Sequence, residues 1–339
     1  DGYADLLING TDQNDQAVTL VYKNMSGQSF DMLTDSFTGL SGGSALWGDM
    51  NNDGSLDIVI AGTVLQGGTP PPPPEDPLMF VYSHTGGDQF QQQAVDNLDV
   101  PLSNDIALGD YDNDSDLDML VAGSYYTAIG ESEGVKIFRN DVSATNIPPA
   151  APANLSIQIL GSDLYFQWDE SVANTSPQGG LNYNLRIGTQ PGNMDVYSAL
   201  ADLSTGFRRV VSHGNAGPHA EITLYDIPFG ETYYASVQAI DHTYAGSAFS
   251  DNISFAFLPT ASFTLDDSVC INAYAEVVYT GNASPEAIYN WDADGGSWFE
   301  PPIGPGPHFV AWAETGIKTV SLTVTEDGVT SQLVEHDIL

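Results

Sequence analysis

Two stretches of the chain, LWGDMNNDGSLDIVIAG at 46–62 and LGDYDNDSDLDMLVAG at 108–123, limit what it can fold into more than any other feature. Aligned on their first aspartates, they form an internal repeat with oxygen-bearing side chains at loop positions 1, 3, 5 and 9. These are Asp49, Asn51, Asp53 and Asp57 in one copy, and Asp110, Asp112, Asp114 and Asp118 in the other. An apolar run follows each directly. Like charges about 4 Å apart repel by roughly 1 kcal/mol in water and about 4 kcal/mol at an effective dielectric of 20, so such a cluster is costly unless a cation sits among it. A tight turn brings alternate residues to one side, and the carbonyl of position 7, Ser55 or Asp116, completes a shell of hard oxygens. That donor set selects calcium over zinc or copper.

Two other metal readings fail on the residues. The first six positions match the start of an EF-hand, but position 12 is Ile60 or Val121 instead of a bidentate glutamate. The β-rich runs DIVIAG and DMLVAG stand where a helix would follow, and each is expected to be a strand. A two-metal phosphoryl-transfer site needs a lysine, arginine or glycine-rich cradle that neither stretch supplies. Position 6 is Gly54 in one loop and Ser115 in the other. If the turn needs positive φ, the serine copy is strained.

These loops resemble the FG-GAP, or VCBS-like, repeats of β-propellers, over about residues 1–146. The opening DGYADLLING resembles the second half of a third loop, with Asp1 at position 5 and Asp5 at position 9. VYKNMSGQSF (21–30) and VKIFRND (135–141) resemble the strand that follows in each blade. The resemblance implies an all-β fold that opens with a partial β-propeller. Propellers close with four to eight blades, so the missing blades are expected upstream in a longer protein or from another chain. GGTPPPPPEDP (67–77) reads as a proline-stiffened loop extension.

NIPPAAPANL (146–155) marks a boundary, since clustered prolines do not continue a sheet. Beyond it, Leu164, Phe166 and Trp168 alternate, as do Tyr233, Ala235, Val237 and Ala239, which predicts two half-buried strands. Residues 147–258 resemble a fibronectin type III domain, with Tyr233 as its corner tyrosine. Residues 259–339 resemble a PKD-type sandwich, with NWDADGG at its characteristic turn and Val320, Leu322 and Val324 on a core strand. The whole is thus expected to be a partial propeller followed by two immunoglobulin-like β-sandwiches. The lone Cys270 is read as a small buried hydrophobe, because Val329 stands where the PKD-type resemblance implies a cysteine partner. Trp291, Trp298 and Trp312 are read as core, with a sugar-stacking face as the rival. Arg208 and Arg209 are expected to pair with acids.

Lysine and arginine total 7 against 45 acids, a net charge of −38. Such a polyanion does not bind nucleic acid or an anionic membrane by counterion release. No apolar run is long enough to insert in a membrane, and no export signal opens the sequence. One cysteine excludes an internal disulfide framework. There is no G-x-S-x-G, H-E-x-x-H or phosphate loop, so the expectation is a non-enzyme. The resemblances imply a secreted or cell-surface, calcium-binding adhesion module that presents loops to an extracellular glycan or surface protein. Two alternatives accompany it: the accessory tail of a secreted hydrolase, and a self-associating subunit of a surface fibre or sheath.

Overall fold

The computed structural model describes residues 3–64, 78–94, 101–112, 114, 116–127, 130–173, 180–208 and 210–339. Asp1, the 67–77 insert, Ser115 and Arg209 lie outside the described residues. All described elements are β-strands, in antiparallel sheets, and none is an α-helix.

The first three sheets form a row. β1 (Leu6–Thr11), β2 (Ala17–Asn24) and β3 (Phe30–Met32) make a meander. β4 (Ala45–Gly48), β5 (Asp57–Gly62), β6 (Leu78–Gly86) and β7 (Gln89–Gln92) make the second, and β8 (Leu102–Gly109), β9 (Asp118–Thr127) and β10 (Gly130–Phe138) the third. The strand expected after each aspartate loop is present as β5 and β9.

β5 shows why the row holds together. After Asp57 its sequence IVIAG is apolar without alternation, and all six residues of the strand are buried. Successive strand residues point to opposite faces, so both faces must be covered. Ile58 and Ile60 pack with Val21, Leu40 and Tyr82 toward the first sheet. Val59 and Ala61 pack with Ile106, Leu117, Met119 and Val121 toward the third. Burial of each large aliphatic side chain contributes about 1.5–3 kcal/mol. The row ends in apolar faces at both sides: Leu6, Ile8, Phe30 and Met32 are exposed on the first sheet, and Leu120, Val135 and Ile137 on the third.

The next two sheets pack face to face around one core. β11 (Ala153–Leu160), β12 (Asp163–Asp169) and β14 (Glu221–Leu224) form one; β13 (Asn182–Gly188), β15 (Gly230–Ile240) and β16 (Ile253–Phe257) form the other. Leu164, Phe166 and Trp168 of β12 meet Leu185, Ile187, Ala235 and Val237 between them. At the start of β15 the Tyr233 hydroxyl donates to the Pro228 carbonyl at 3.0 Å, pinning the corner that leads into the strand.

β15 departs from the predicted half-buried strand. Ser236, Gln238 and Ile240, on its opposite face, are buried too. Residues 193–208 and 210–217 lie over this face and, with Ser247, meet the side-chain amides of Gln238 and its β13 neighbour Asn184, while Ser236 Oγ has no hydrogen-bond partner among the described residues. Gln238 Nε2 donates to the carbonyls of Gly206 at 2.6 Å and Ser247 at 2.8 Å, and Asn184 Nδ2 donates to Ala199 at 3.0 Å. Gly206 is required here: its φ is +79°, and a Cβ would lie 2.2 Å from the Ser247 carbonyl oxygen. The same layer overturns the pairing expected of Arg208. That side chain is buried, touches no carboxylate among the described residues, and donates from Nη2 to the Ser212 carbonyl at 2.8 Å. Burial lowers its pKa.

The last two sheets enclose a second core. β17 (Phe263–Leu265), β18 (Ala275–Tyr279), β21 (His308–Ala311) and β20 (Ser297–Trp298) form one; β19 (Ile288–Asp292), β22 (Lys318–Glu326), β23 (Val329–Thr330) and β24 (Val334–Ile338) form the other. Val320, Leu322 and Val324 of β22 are fully buried, as their alternation predicts. Trp312 is in this core, with Trp291 and Trp298 packed against it. Cys270 corrects the sequence reading: it is exposed, in the turn between β17 and β18, where Ala273 N donates to its carbonyl. Within this turn Val269 is the residue that packs against the core, and Cys270, next to it on the chain, is left on the solvent side.

Candidate metal centre

Each aspartate loop joins the first two strands of its pairing: residues 49–56 connect β4 to β5, and 110–117 connect β8 to β9. The strand pairs Gly48–Asp57 and Gly109–Asp118 close the two loops in the same register. Inside each, side-chain oxygens hold the amide two residues on. Asn51 Oδ1 accepts from Asp53 N at 2.9 Å, Asp53 Oδ1 from Ser55 N at 2.9 Å, and Asp114 Oδ1 from Asp116 N at 3.2 Å. Such turns arise because Asx side chains bond the backbone locally. Gly54 has φ +89°, the left-handed geometry expected at position 6.

The position-9 aspartates do a second job that the sequence reading missed. Asp57 accepts Met50 N at 3.1 Å and His84 N at 2.9 Å; Asp118 accepts Tyr111 N at 2.7 Å and Asn140 N at 2.8 Å. Asp5 likewise accepts Asn24 N at 2.7 Å. In the second and third sheets this carboxylate ties the loop to β6 and to the residues just beyond β10, and in the first Asp5 reaches the end of β2. Asn140 also donates from Nδ2 to Met50 O at 2.7 Å and Leu117 O at 3.3 Å, linking both loops. The visible signal was the asparagine ending VYKN and IFRN at matching places.

The second loop gathers its acids. Oxygens of Asp110, Asp112 and Asp118 lie within 4.8 Å of one another. Asp116 is buried, and its Oδ1 has no hydrogen-bond partner among the described residues, while Oδ2 accepts from Val142 N at 3.2 Å. Burial raises its pKa. Asp114 N donates to Asp110 Oδ1 at 3.1 Å. Arg139 donates to Asp112 at 3.2 Å and also pairs with Asp141. Three converging carboxylates in a loop that also buries the Asp116 carboxylate fit a hard divalent cation such as calcium. Asp110, Asp112, Asp114, Asp118 and the Asp116 backbone are the residues that would hold it, and the ion would neutralise them.

The first loop is organised differently. Asp49, Asp53 and Asp57 do not converge within that distance among the described residues. Asp49 turns inward to accept Asp53 N at 3.1 Å and Gly54 N at 2.8 Å. Asp49 and Asp57 are both buried, and burial pushes each carboxyl up to about 6. Asn51 and Asp53 contact each other at 2.9 Å on the more open side, with Ser55 next along the turn. Asp5 stands apart from both clusters.

His242, 188 residues from the first loop, bonds the Gly54 carbonyl through Nδ1 at 3.0 Å. Burial holds its imidazole below the ordinary range. No periodic or local signal marks this contact in the sequence.

No family model and no curated protein matches the chain. Among solved structures, the chicken interferon gamma receptor alpha chain is similar over 57% of this chain and 98% of its own, with 11% identity and a TM-score of 0.28.

Proposed function

We propose that this chain is a calcium-stabilised, non-catalytic module of an extracellular surface, built to present loops to a glycan or a surface protein. On this reading the row of three sheets is part of a β-propeller of the FG-GAP or VCBS type. The first sheet then contributes the last three strands of one blade, the second a whole four-stranded blade, and the third the first three strands of the next. Their exposed outer apolar faces are the surfaces that further blades would cover in a closed ring. The strand order β11-β12-β14 over β13-β15-β16, with the Tyr233 corner, supports a fibronectin type III module. The following sheets fit a PKD-type sandwich.

One observation carries the functional reading: an aspartate loop between paired strands whose Asp110, Asp112 and Asp118 oxygens converge within 4.8 Å of one another. A cation there fixes a rigid edge at which the modules meet. The test is binding of the folded chain to a panel of glycans and matrix proteins, in calcium and again in EGTA. Calcium-dependent binding is expected; absence of binding in both buffers rejects the display role.

A further inference from the structure

The first loop is held from outside its own sheet at three points. Asn140 Nδ2 donates to Met50 O at 2.7 Å. Asn52, at φ +56°, donates from Nδ2 to Ala144 O at 2.9 Å, in the connection that follows β10. His242, in the turn after β15, bonds Gly54 O at 3.0 Å. Gly54 N meanwhile donates to Asp49 Oδ2 at 2.8 Å. The backbone at the loop's tightest point is therefore gripped by a loop carboxylate on one side and by the second unit on the other.

The turn that carries His242 is itself rigid. Asp241 Oδ1 accepts Thr243 N at 3.1 Å, Thr243 Oγ1 at 3.0 Å and Ala245 N at 2.9 Å. Asn146 Nδ2 reaches across from the connection to Asp241 Oδ2 and Thr243 Oγ1, both at 2.8 Å. Tyr244 packs against the core between the second and third sheets. Gly180 leaves the His242 ring its room, since a Cβ there would sit 2.0 Å from Nε2.

We infer that His242 and its turn, residues 241–246, are a positioning element of the first cation loop, so that cation binding at this loop and docking of the 147–258 unit on the sheet row are one coupled equilibrium. The inference rests on the cation reading of the loops. Its physical basis is direct. The peptide that His242 holds leads from Gly54 into Ser55, whose carbonyl is the position-7 donor, so releasing it lets that donor swing. Affinity then carries the cost of ordering the loop. By linkage, whatever docking adds to cation affinity the cation adds to docking.

The test uses the full chain with Asp114→Ala, which leaves the first loop as the site under study, and compares it with the same chain carrying His242→Ala or Gly180→Ala. Calcium titration calorimetry is expected to show at least a tenfold loss of affinity in both added variants. Hydrogen exchange at residues 241–246 of the wild-type chain is expected to slow when calcium replaces EGTA. Unchanged affinity in variants that keep the wild-type circular dichroism spectrum overturns the coupling alone, as does exchange at 241–246 that ignores calcium. No calcium uptake by the wild-type chain overturns the cation reading itself, and the coupling with it.

Discussion

Folding stability measured across pH, in EGTA and in calcium, probes the buried carboxylates of the first loop. Asp49 and Asp57 are essentially inaccessible to solvent, and burial raises each from 3.8 to about 6. At about 1.4 kcal/mol per pH unit, each shift amounts to about 3 kcal/mol. The sign follows from proton binding. Between about pH 4 and 6 the metal-free folded state holds protons that the unfolded chain has already released, so folding stability falls as pH rises through this window. These groups cost nothing below the unfolded value and weigh fully above about 6. A bound cation stabilises the ionised carboxylates, and at a hundred times its dissociation constant adds about 2.7 kcal/mol. Urea unfolding read on the β5 peptide by pulsed hydrogen exchange is therefore expected to show, in EGTA, a loss of about 3 kcal/mol or more from pH 4 to 7.5. The calcium increment is expected to be small at pH 4 and large at pH 7.5. Equal β5 stability at both pH values in EGTA, or a calcium increment independent of pH, refutes the reasoning.

Three further outcomes follow from single residues. Tyr233→Phe removes the 3.0 Å hydrogen bond to Pro228 and leaves that carbonyl short of a partner, so a loss of about 1–2 kcal/mol is expected in urea melts followed on β15. Arg139→Gln removes the cation beside Asp112 and is expected to tighten calcium at the second loop several-fold in titration calorimetry, with the first loop unchanged. Ile58→Ala and Val59→Ala both empty fully buried sites and are expected to cost about 2–4 kcal/mol and 1–3 kcal/mol respectively. Hydrogen exchange separates them: the first should loosen the contact with β2, the second the contact with β8 and β9.

Much of this architecture was legible because it is local. The repeat DxDxD pattern and its apolar sequel foretold β5 and β9, and period-two alternation foretold β12 and β22. What failed depended on distant chain. Nothing near Arg208 or Gln238 announces that residues 193–208 and 210–217 fold over β13 and β15, so a predicted surface became interior and an expected ion pair became a buried guanidinium. Cys270 was misjudged because residue type favours burial, whereas in the turn between β17 and β18 it is Val269 that packs inward and Cys270 that faces solvent. At the aspartate loops nothing in the sequence signalled that position 9 also binds a neighbouring strand, or that His242 closes on Gly54 from 188 residues away.

The central claim is that the two aspartate loops bind calcium. Its most direct test is titration calorimetry of the metal-free chain with calcium at pH 7.5, alongside Asp53→Ala and Asp114→Ala. Two specific sites are predicted in the wild-type chain, with one lost in each variant. A wild-type chain that takes up no calcium at millimolar concentration, or variants that bind as the wild type does, contradicts the account.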